Sequence, residues 1–316
     1  MRVVFMGTSG FAAPILSALH RRHQVLAVVT QPDRPTGRGR RVSESPVKRE
    51  AAQLGLTVYQ PERVREESFI EQLQALGPID VIVVAAFGQI IPKTILDIPR
   101  LGCVNAHASL LPKYRGAAPI QRSLIQGETT TGVTTMLMDP GLDTGPILLR
   151  QETDIAPDET AGELEIRLSG IAAELALRTL DGLEKGSLAP APQDDSKATS
   201  ARSLRREDAE VEWSLPAHDI VNRIRAFTPR PSAHTTLGGS FIKIWRAAVV
   251  PEAHGQPPGV VLAVSDDGIK VAAGTDAVAL IEVQAENRSR MRAVEFARGA
   301  RLTPGDRFGP DKSVER

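Results

Sequence analysis

The chain contains one cysteine, Cys103, in 316 residues. A single thiol excludes an internal disulfide and any zinc site built on cysteines. Paired histidines at metal-ligand spacing beside a carboxylate are missing as well, because His20 and His23 sit apart from the other polar clusters. No metal is therefore expected. Aromatic residues make up only 4% of the chain, which argues against a stacking platform for single-stranded nucleic acid. Net charge is absent too: 38 basic side chains balance 38 acidic ones, so the whole molecule has no general electrostatic grip on a polyanion. No apolar run approaches the ~18 residues that cross a bilayer, and MRVVFMGTSG reads as a strand entering a turn, not as a signal peptide. A cytoplasmic protein with no membrane partner is expected.

What is present is ordinary globular composition, 41% apolar and 24% charged, at a length that suits two domains. In the first half, short β-branched runs at Arg2–Met6, Gln24–Thr30, Asp80–Ala86 and Gly102–Ala106 alternate with helical pattern such as Phe11–Arg22. That alternation predicts an α/β fold, a Rossmann-like doubly wound and mostly parallel sheet covered on both faces. Thr131–Asp139 and Ile147–Gln151 flank DPGLDTGP, whose glycines and prolines predict a tight or bulged connection. Thr160–Glu163 forms a capping box ahead of Leu164, Leu168, Ile171 and Leu175, a helix that fades near Gly186. Residues 187–203 are polar and rich in Pro, Ala and Ser, as a linker would be. Beyond them a short helix at Ala217–Phe227 precedes four strand-like runs at hairpin spacing between Phe241 and Val283. The expected organisation is a catalytic domain at 1–186, a linker at 187–203 and a small, OB-like β-barrel at 204–316.

Three stretches could carry chemistry. GTSGFAAP, residues 7–14, has G-x-x-G spacing, and no acidic residue ends the second strand, so a dinucleotide site is disfavoured and no nucleotide cofactor is expected. A helix start able to hold an anion or carboxylate is the better reading. Residues 31–49 carry six basic side chains, Arg34, Arg38, Arg40, Arg41, Lys48 and Arg49, against two acidic ones, a local charge of +4. Such a run is either a solvated loop or a contact for phosphates. The third stretch, NAHASLLPKYRGAAPIQ at 105–121, places Asn105 and His107 at the mouth of a strand, with Asp143 in the loop beyond the next one. An amide donor for an oxyanion, an imidazole that carries protons near neutrality and a carboxylate to hold it fit acyl-type transfer by direct attack. Ser109 lies in no nucleophile elbow. The same residues also fit a hydrogen-bonded loop in which His107 is structural.

NAHASLLPKYRGAAPIQRSL, followed downstream by GLDTG, resembles the signature of the enzymes that take a formyl group from 10-formyltetrahydrofolate. QPDRPTGRGRR with SPVK resembles the insertion that contacts tRNA in one branch of that family, and RAFTPRPSAHT in the second half is similar to it as well. The resemblance spans nearly the whole chain. It implies Asn105, His107 and Asp143 as the catalytic trio. Phe87, Gly88, Gln89, Ile90 and Ile91, with Ser109, Leu110, Leu111, Pro112 and Asp139, would surround the folate, which serves as formyl donor. Arg34, Arg38, Arg40, Arg41 and Lys48 would meet the acceptor stem of methionyl-initiator tRNA, the substrate formylated for translation initiation, and the barrel would contact it too. The enzyme is expected to act as a monomer. Transfer to another amine, hydrolysis of the formyl donor, or tRNA binding without catalysis are the alternatives. Ala108, Phe87, Tyr114 and Arg230 depart from the family pattern, where Gly, Tyr, Trp and Trp respectively are more usual, and none belongs to the trio.

Residues 204–316 hold 16 Lys/Arg against 15 Asp/Glu, so the barrel has no large excess of positive charge with which to hold tRNA. The cationic stretch then matters more. Replacing Arg38 by Ala should lower kcat/KM for methionyl-tRNA while leaving the KM for the folate donor unchanged. Unchanged kcat/KM for the tRNA in steady-state formylation would contradict this.

Overall fold

The computed structural model describes residues 1–36 and 41–310, so Arg38 and Arg40 lie outside it. The chain divides into two compact units. The first comprises Met1–Pro119, Thr130–Asp154 and Glu165–Arg202, and the second Ile120–Thr129, Ile155–Leu164 and Ser203–Arg316.

In chain order the elements up to residue 184 are β1 (Arg2–Gly7), α1 (Ala13–Arg22), β2 (Gln24–Val29), β3 (Arg34–Thr36), β4 (Arg41–Ser43), α2 (Pro46–Gln53), β5 (Val58–Tyr59), α3 (Glu67–Gln74), β6 (Val81–Ala85), α4 (Lys93–Leu96), β7 (Cys103–His107), α5 (Pro119–Ile125), β8 (Thr130–Leu137), β9 (Ile147–Asp154) and α6 (Ala161–Glu184). Seven strands form one sheet in the order β5-β2-β1-β6-β7-β8-β9. Pairs from β5 to β7 are parallel, whereas β8 and β9 run antiparallel to their neighbours. β6 and β7 are buried along their whole length, as strands covered on both faces must be, which is why VIVVA carries no polar alternation. From β1 the chain winds outward to β2 and β5, then returns to β6 on the other side of β1. The crevice at that reversal is the usual ligand site of such sheets. Thr8 Oγ1 crosses it and donates to the Phe87 carbonyl at 2.9 Å.

Gly7 ends β1 for a steric reason. A Cβ there would lie 2.8 Å from the Phe5 ring and 3.0 Å from the Ala85 carbonyl oxygen, so only glycine lets β1 and β6 end side by side. A carboxylate does sit just ahead of α1, and it belongs to the chain itself: Glu165 Oε1 accepts from the Phe11 N–H at 3.2 Å. Burial holds the Glu165 carboxyl above the usual range, against the pull of that hydrogen bond. α6 opens with the reciprocal cap written in its sequence, Thr160 N–H to Glu163 Oε2 at 2.9 Å and Glu163 N–H to Thr160 Oγ1 at 3.4 Å.

Residues 187–202 group with the first unit. Ala191 exchanges two 2.8 Å backbone hydrogen bonds with Ile147, the Thr199 carbonyl accepts from the Arg115 N–H at 2.8 Å, and Ala201 donates to the Arg115 carbonyl at 2.7 Å. The composition is that of a linker because the segment is mostly exposed, yet its backbone pairs with the loops beneath it. Composition registers exposure and is blind to main-chain partners.

The second unit contains α7 (Ala217–Ala226), β10 (His234–Leu237), β11 (Ser240–Val250), β12 (Val261–Ser265), β13 (Gly268–Ala272), β14 (Ala277–Ala285), β15 (Met291–Arg292) and α8 (Ala293–Ala300). Its antiparallel sheet runs β10-β11-β14-β13-β12, with β15 beside β14. The two edges are bridged by one segment: Gly309 donates to the Thr236 carbonyl at 2.9 Å, and Phe308 to that of Gly259 at 2.8 Å. This bridging makes a small barrel of a curled sheet and protects both edges. Phe227, Ile244, Leu280 and Phe308 fill its core, and Trp213 donates its indole N–H to Thr235 Oγ1 at 3.0 Å.

Cys103 is 2% exposed at the start of β7, and burial, helped by the charge of Asp97, pushes its thiol up to about 12. A thiol so placed has almost no thiolate near neutrality and no route to a reagent. The folded protein should resist a disulfide-exchange reagent at pH 8 and release one thiol per chain in denaturant. Rapid labelling of the native state would contradict this packing.

Candidate active site

Asn105 and His107 are two residues apart on β7 and therefore project from the same face of the sheet. Asp143 comes from the connection between β8 and β9, which folds back over that face. Its Oδ1 accepts from Asn105 Nδ2 at 3.1 Å, its Oδ2 accepts from the Gly116 N–H at 2.9 Å, and its Oδ2 lies 3.6 Å from His107 Nδ1. The side chains of His107 and Asp143 are 6% and 12% exposed. Because an ionised carboxylate can only accept, the Asn105 amide must turn its NH2 toward Asp143. One of its two N–H bonds is spent there, and the other projects away from the carboxylate. On the opposite edge of the imidazole, Nε2 lies 2.8 Å from the Tyr114 carbonyl oxygen. That oxygen is an acceptor, so Nε2 carries a proton and Nδ1 is the nitrogen that faces Asp143.

The backbone is shaped to achieve this. Asp143 has φ 54° and Tyr114 φ 62°, both left-handed and costly for residues with a Cβ. In GLDTG, a Cβ on Gly141 would fall 2.0 Å from Thr144 Oγ1, and one on Gly145 would fall 1.8 Å from the Leu137 carbonyl oxygen. Both positions therefore require glycine. Thr144 Oγ1 donates to Asp139 Oδ1 at 2.7 Å, and the Gly141 N–H donates to the same atom at 3.0 Å. Asp139 thus braces the turn that presents Asp143.

The residues expected to surround a folate fall into two groups. Ile90 is 86% exposed at the crevice, between buried Phe87 and Ile91 that anchor its loop, and Gly88 is exposed beside it. Leu110 and Pro112 are half-buried. The side chains of Gln89 and Ser109 instead serve their own loops: Gln89 Oε1 accepts from the Val64 N–H at 2.9 Å, and the Ser109 hydroxyl donates to the Lys113 carbonyl at 2.6 Å. Leu111 is buried against Met136 and Ile147, and its N–H donates to Thr134 Oγ1 at 3.1 Å. Ala108 is buried and keeps an ordinary negative φ, so its extra methyl imposes no backbone strain.

In the cationic stretch, β3 and β4 pair as an antiparallel ribbon, Arg34 opposite Ser43 and Thr36 opposite Arg41. Arg34 is exposed. Lys48 pairs with Asp33 and lies 3.5 Å from Glu44 Oε1, and the Asp33 hydrogen bond holds its ammonium above the usual value. Its charge is thereby partly answered within the protein. α2 is fixed behind this ribbon by the Ser45 hydroxyl, which accepts from the Lys48 N–H at 3.0 Å.

Sequence reasoning missed the main-chain donors and acceptors that hold the trio, namely the Gly116 N–H and the Tyr114 carbonyl, together with Thr134 and Gln193. The R-G of the signature hints at Gly116, since a Cβ there would meet the Ala201 carbonyl oxygen at 2.8 Å and its φ is +119°. For Gln193 no local signal exists.

Among the described residues no cluster of three His, Cys, Asp or Glu side chains is placed to hold a metal, and no helix is long and apolar enough to cross a membrane. The family model for formyl transferase matches residues 1–180, and that for the formyl transferase C-terminal domain matches residues 203–301. The chain is 49% identical to the methionyl-tRNA formyltransferase of Solibacter usitatus, over 98% of this chain and 99% of the relative. It is 47% identical to that of Geobacter metallireducens over the same shares. Its fold also resembles that of HypX from Aquifex aeolicus, solved in complex with tetrahydrofolic acid, with a TM-score of 0.65 at 17% identity over 100% of this chain and 50% of the other. With both domain models matched in order and near-complete alignment at such identity, this chain belongs to the formyl transferase family, among its methionyl-tRNA formyltransferases.

Proposed function

We propose that this chain moves the formyl group of 10-formyltetrahydrofolate onto the α-amino group of methionyl-initiator tRNA. The convergence of Asn105, His107 and Asp143 on one face of β7 carries the reading. The α-amino nitrogen attacks the formyl carbon with its lone pair and a C–N bond forms. The carbonyl oxygen takes the negative charge, the bond to N10 breaks, and a proton lost by the amine is balanced by one gained at N10. Each polar group has one part in this. The Asn105 N–H not spent on Asp143 meets the oxyanion, a donation typically worth about 10²–10³ in rate. His107, its Nε2 proton committed to Tyr114, handles protons at Nδ1, and general acid–base help of that kind contributes roughly 10²–10⁴. Asp143 receives or relays the amine proton, and its separation of 3.6 Å from the ring suits a pair that tightens when substrate arrives.

The folate lies at the crevice beyond β6 and β7. Support comes from two exposed apolar side chains, Ile90 at 86% and Leu142 at 68%, on the loops that border the trio. Apolar surface of that kind seeks a ring to cover. Phe87, Gly88, Ile91, Leu110 and Pro112 complete that border, while Gln89, Ser109, Leu111 and Asp139 act by holding the loops in shape. The acceptor end of the tRNA meets the cationic stretch of residues 31–49 through Arg34, Arg38, Arg40 and Arg41, together with the ion-paired Lys48, and the protein works as a cytoplasmic monomer.

A mixture of the protein, 10-formyltetrahydrofolate and labelled methionyl-tRNA should yield formylmethionyl-tRNA, whereas free methionine should not be formylated. Release of tetrahydrofolate with water alone would indicate a hydrolase, and tRNA binding without turnover a non-catalytic protein. His107→Ala should lower kcat at least tenfold with an unchanged circular dichroism spectrum. Near-normal turnover by the folded variant would remove His107 from the mechanism.

A further inference from the structure

Residues 189–197 are exposed with one exception, Gln193. Its side chain makes four hydrogen bonds to oxygen and nitrogen partners, and Nε2 also lies 3.9 Å from the Met136 sulfur. Nε2 donates to the Asp143 carbonyl at 2.8 Å and to the Gly145 carbonyl at 2.7 Å, while Oε1 accepts from Arg115 Nε at 3.1 Å and Arg115 Nη2 at 2.9 Å. The orientation of the amide is unambiguous. Two carbonyls demand a donor and a guanidinium demands an acceptor, so only one of the two flips satisfies all four contacts. Arg115 Nη2 reaches on to Asp195 Oδ1 at 2.7 Å.

The same segment holds the other half of the site. Thr199 Oγ1 accepts from the Tyr114 N–H at 2.8 Å, and the Thr199 carbonyl accepts from the Arg115 N–H at 2.8 Å. Tyr114 is the residue whose carbonyl orients His107, and Gly116, next to Arg115, donates to Asp143. One strand of chain therefore clamps both the turn that bears Asp143 and the loop that sets the imidazole. Both clamped residues are left-handed, Asp143 at φ 54° and Tyr114 at φ 62°, and such conformations persist only when their surroundings over-determine them.

We propose that Gln193 is a positioning residue for the transfer reaction, acting through the carbonyls of Asp143 and Gly145 in the turn that bears the carboxylate, with the 191–201 segment as a strap across the site. This inference rests on the reading of the trio given above. Gln193 touches neither substrate nor reacting atoms in this scheme. Its carboxamide fixes where the Asp143 carboxylate stands relative to Asn105 and His107, and a displacement of about 1 Å in such a group can cost up to roughly 10²-fold in rate.

The test is a double-mutant cycle on the full-length protein, read as kcat and as KM for both substrates. Gln193→Ala should lower kcat by about tenfold or more while each KM stays within about twofold. Gln193→Glu keeps the size of the side chain and its link to Arg115 but loses the two N–H donors, so it should show the same loss even where the alanine variant folds poorly. On an Asp143→Asn background, either change should cost less than about twofold, because its effect travels through the group already removed. Full turnover by both Gln193 variants, or an undiminished further loss on the Asp143→Asn background, overturns the proposal while the trio stands. Full turnover by Asp143→Asn alone overturns the reading of the trio, and this inference with it.

Discussion

The carboxylate of Asp143 is the point on which the site depends. A nearly buried anion must be answered by donors, and here two N–H groups from different parts of the chain answer it, one on each oxygen. Each bond has a second consequence. The bond to Asn105 fixes which end of that amide is donor, and so aims its remaining N–H. The bond to the Gly116 N–H ties the loop after β7 to the turn after β8, and so positions Tyr114, two residues earlier, whose carbonyl sets the imidazole. Without the carboxylate, the amide would be free to flip and the two loops would lose their shared contact.

The surrounding sequence is best understood as support for that contact. Glycine stands at 141 and 145 because any Cβ would meet Thr144 or the Leu137 carbonyl, and at 116 because the chain near Ala201 passes too close. Thr134, buried in β8, accepts from the Leu111 N–H and donates to the Ser109 carbonyl at 2.7 Å, so one hydroxyl pins the turn of the SLLP loop from both sides. Asp139 and Ser109 carry polar side chains in prominent motif positions, yet both spend them on neighbouring backbone or side chains. Much of the polarity in the motif is thus loop architecture, and only a small part faces the crevice.

The alternation of β-branched runs with helical pattern was legible as a parallel sheet, since burial on both faces leaves an unmistakable apolar run in β6. The position of Asn105 and His107 at the mouth of a strand was legible, and so was the capping box at Thr160 as a helix start. The strand boundaries shifted by one to three residues, and one shift mattered: β7 continues to His107, which pairs with Thr134, so the imidazole is set on the sheet and not in a loop. Short elements such as β5, with two residues, carry too little pattern to read. Residues 187–202 misled in a more instructive way. Exposure made them polar and rich in proline and serine, the same signature that a free connection would carry. Their partners are main-chain atoms of residues about 45 to 87 positions earlier, including Arg115 and Ile147, and no local pattern encodes a bond to a distant carbonyl.

Three non-glycine residues with left-handed backbone border the site, Ala86, Tyr114 and Asp143, each at the head of a different loop. Such residues cost of order 1–3 kcal/mol apiece and would relax if their loops were loosely held. Each is followed or flanked by a compensating hydrogen bond: Thr8 Oγ1 to the Phe87 carbonyl after Ala86, the Tyr114 N–H to Thr199 Oγ1, and Gln193 Nε2 to the Asp143 carbonyl. The anchoring groups come from two separate stretches of the chain, Thr8 at the end of β1 and the 191–201 segment, so none of the three loops can relax without breaking a contact made from elsewhere in the chain. A site held this way has its dipoles in place before substrate arrives and spends little on reorganisation when charge develops on the formyl oxygen. The strain is then the visible cost of that readiness, and its distribution over three loops explains why the support reaches beyond the motif itself.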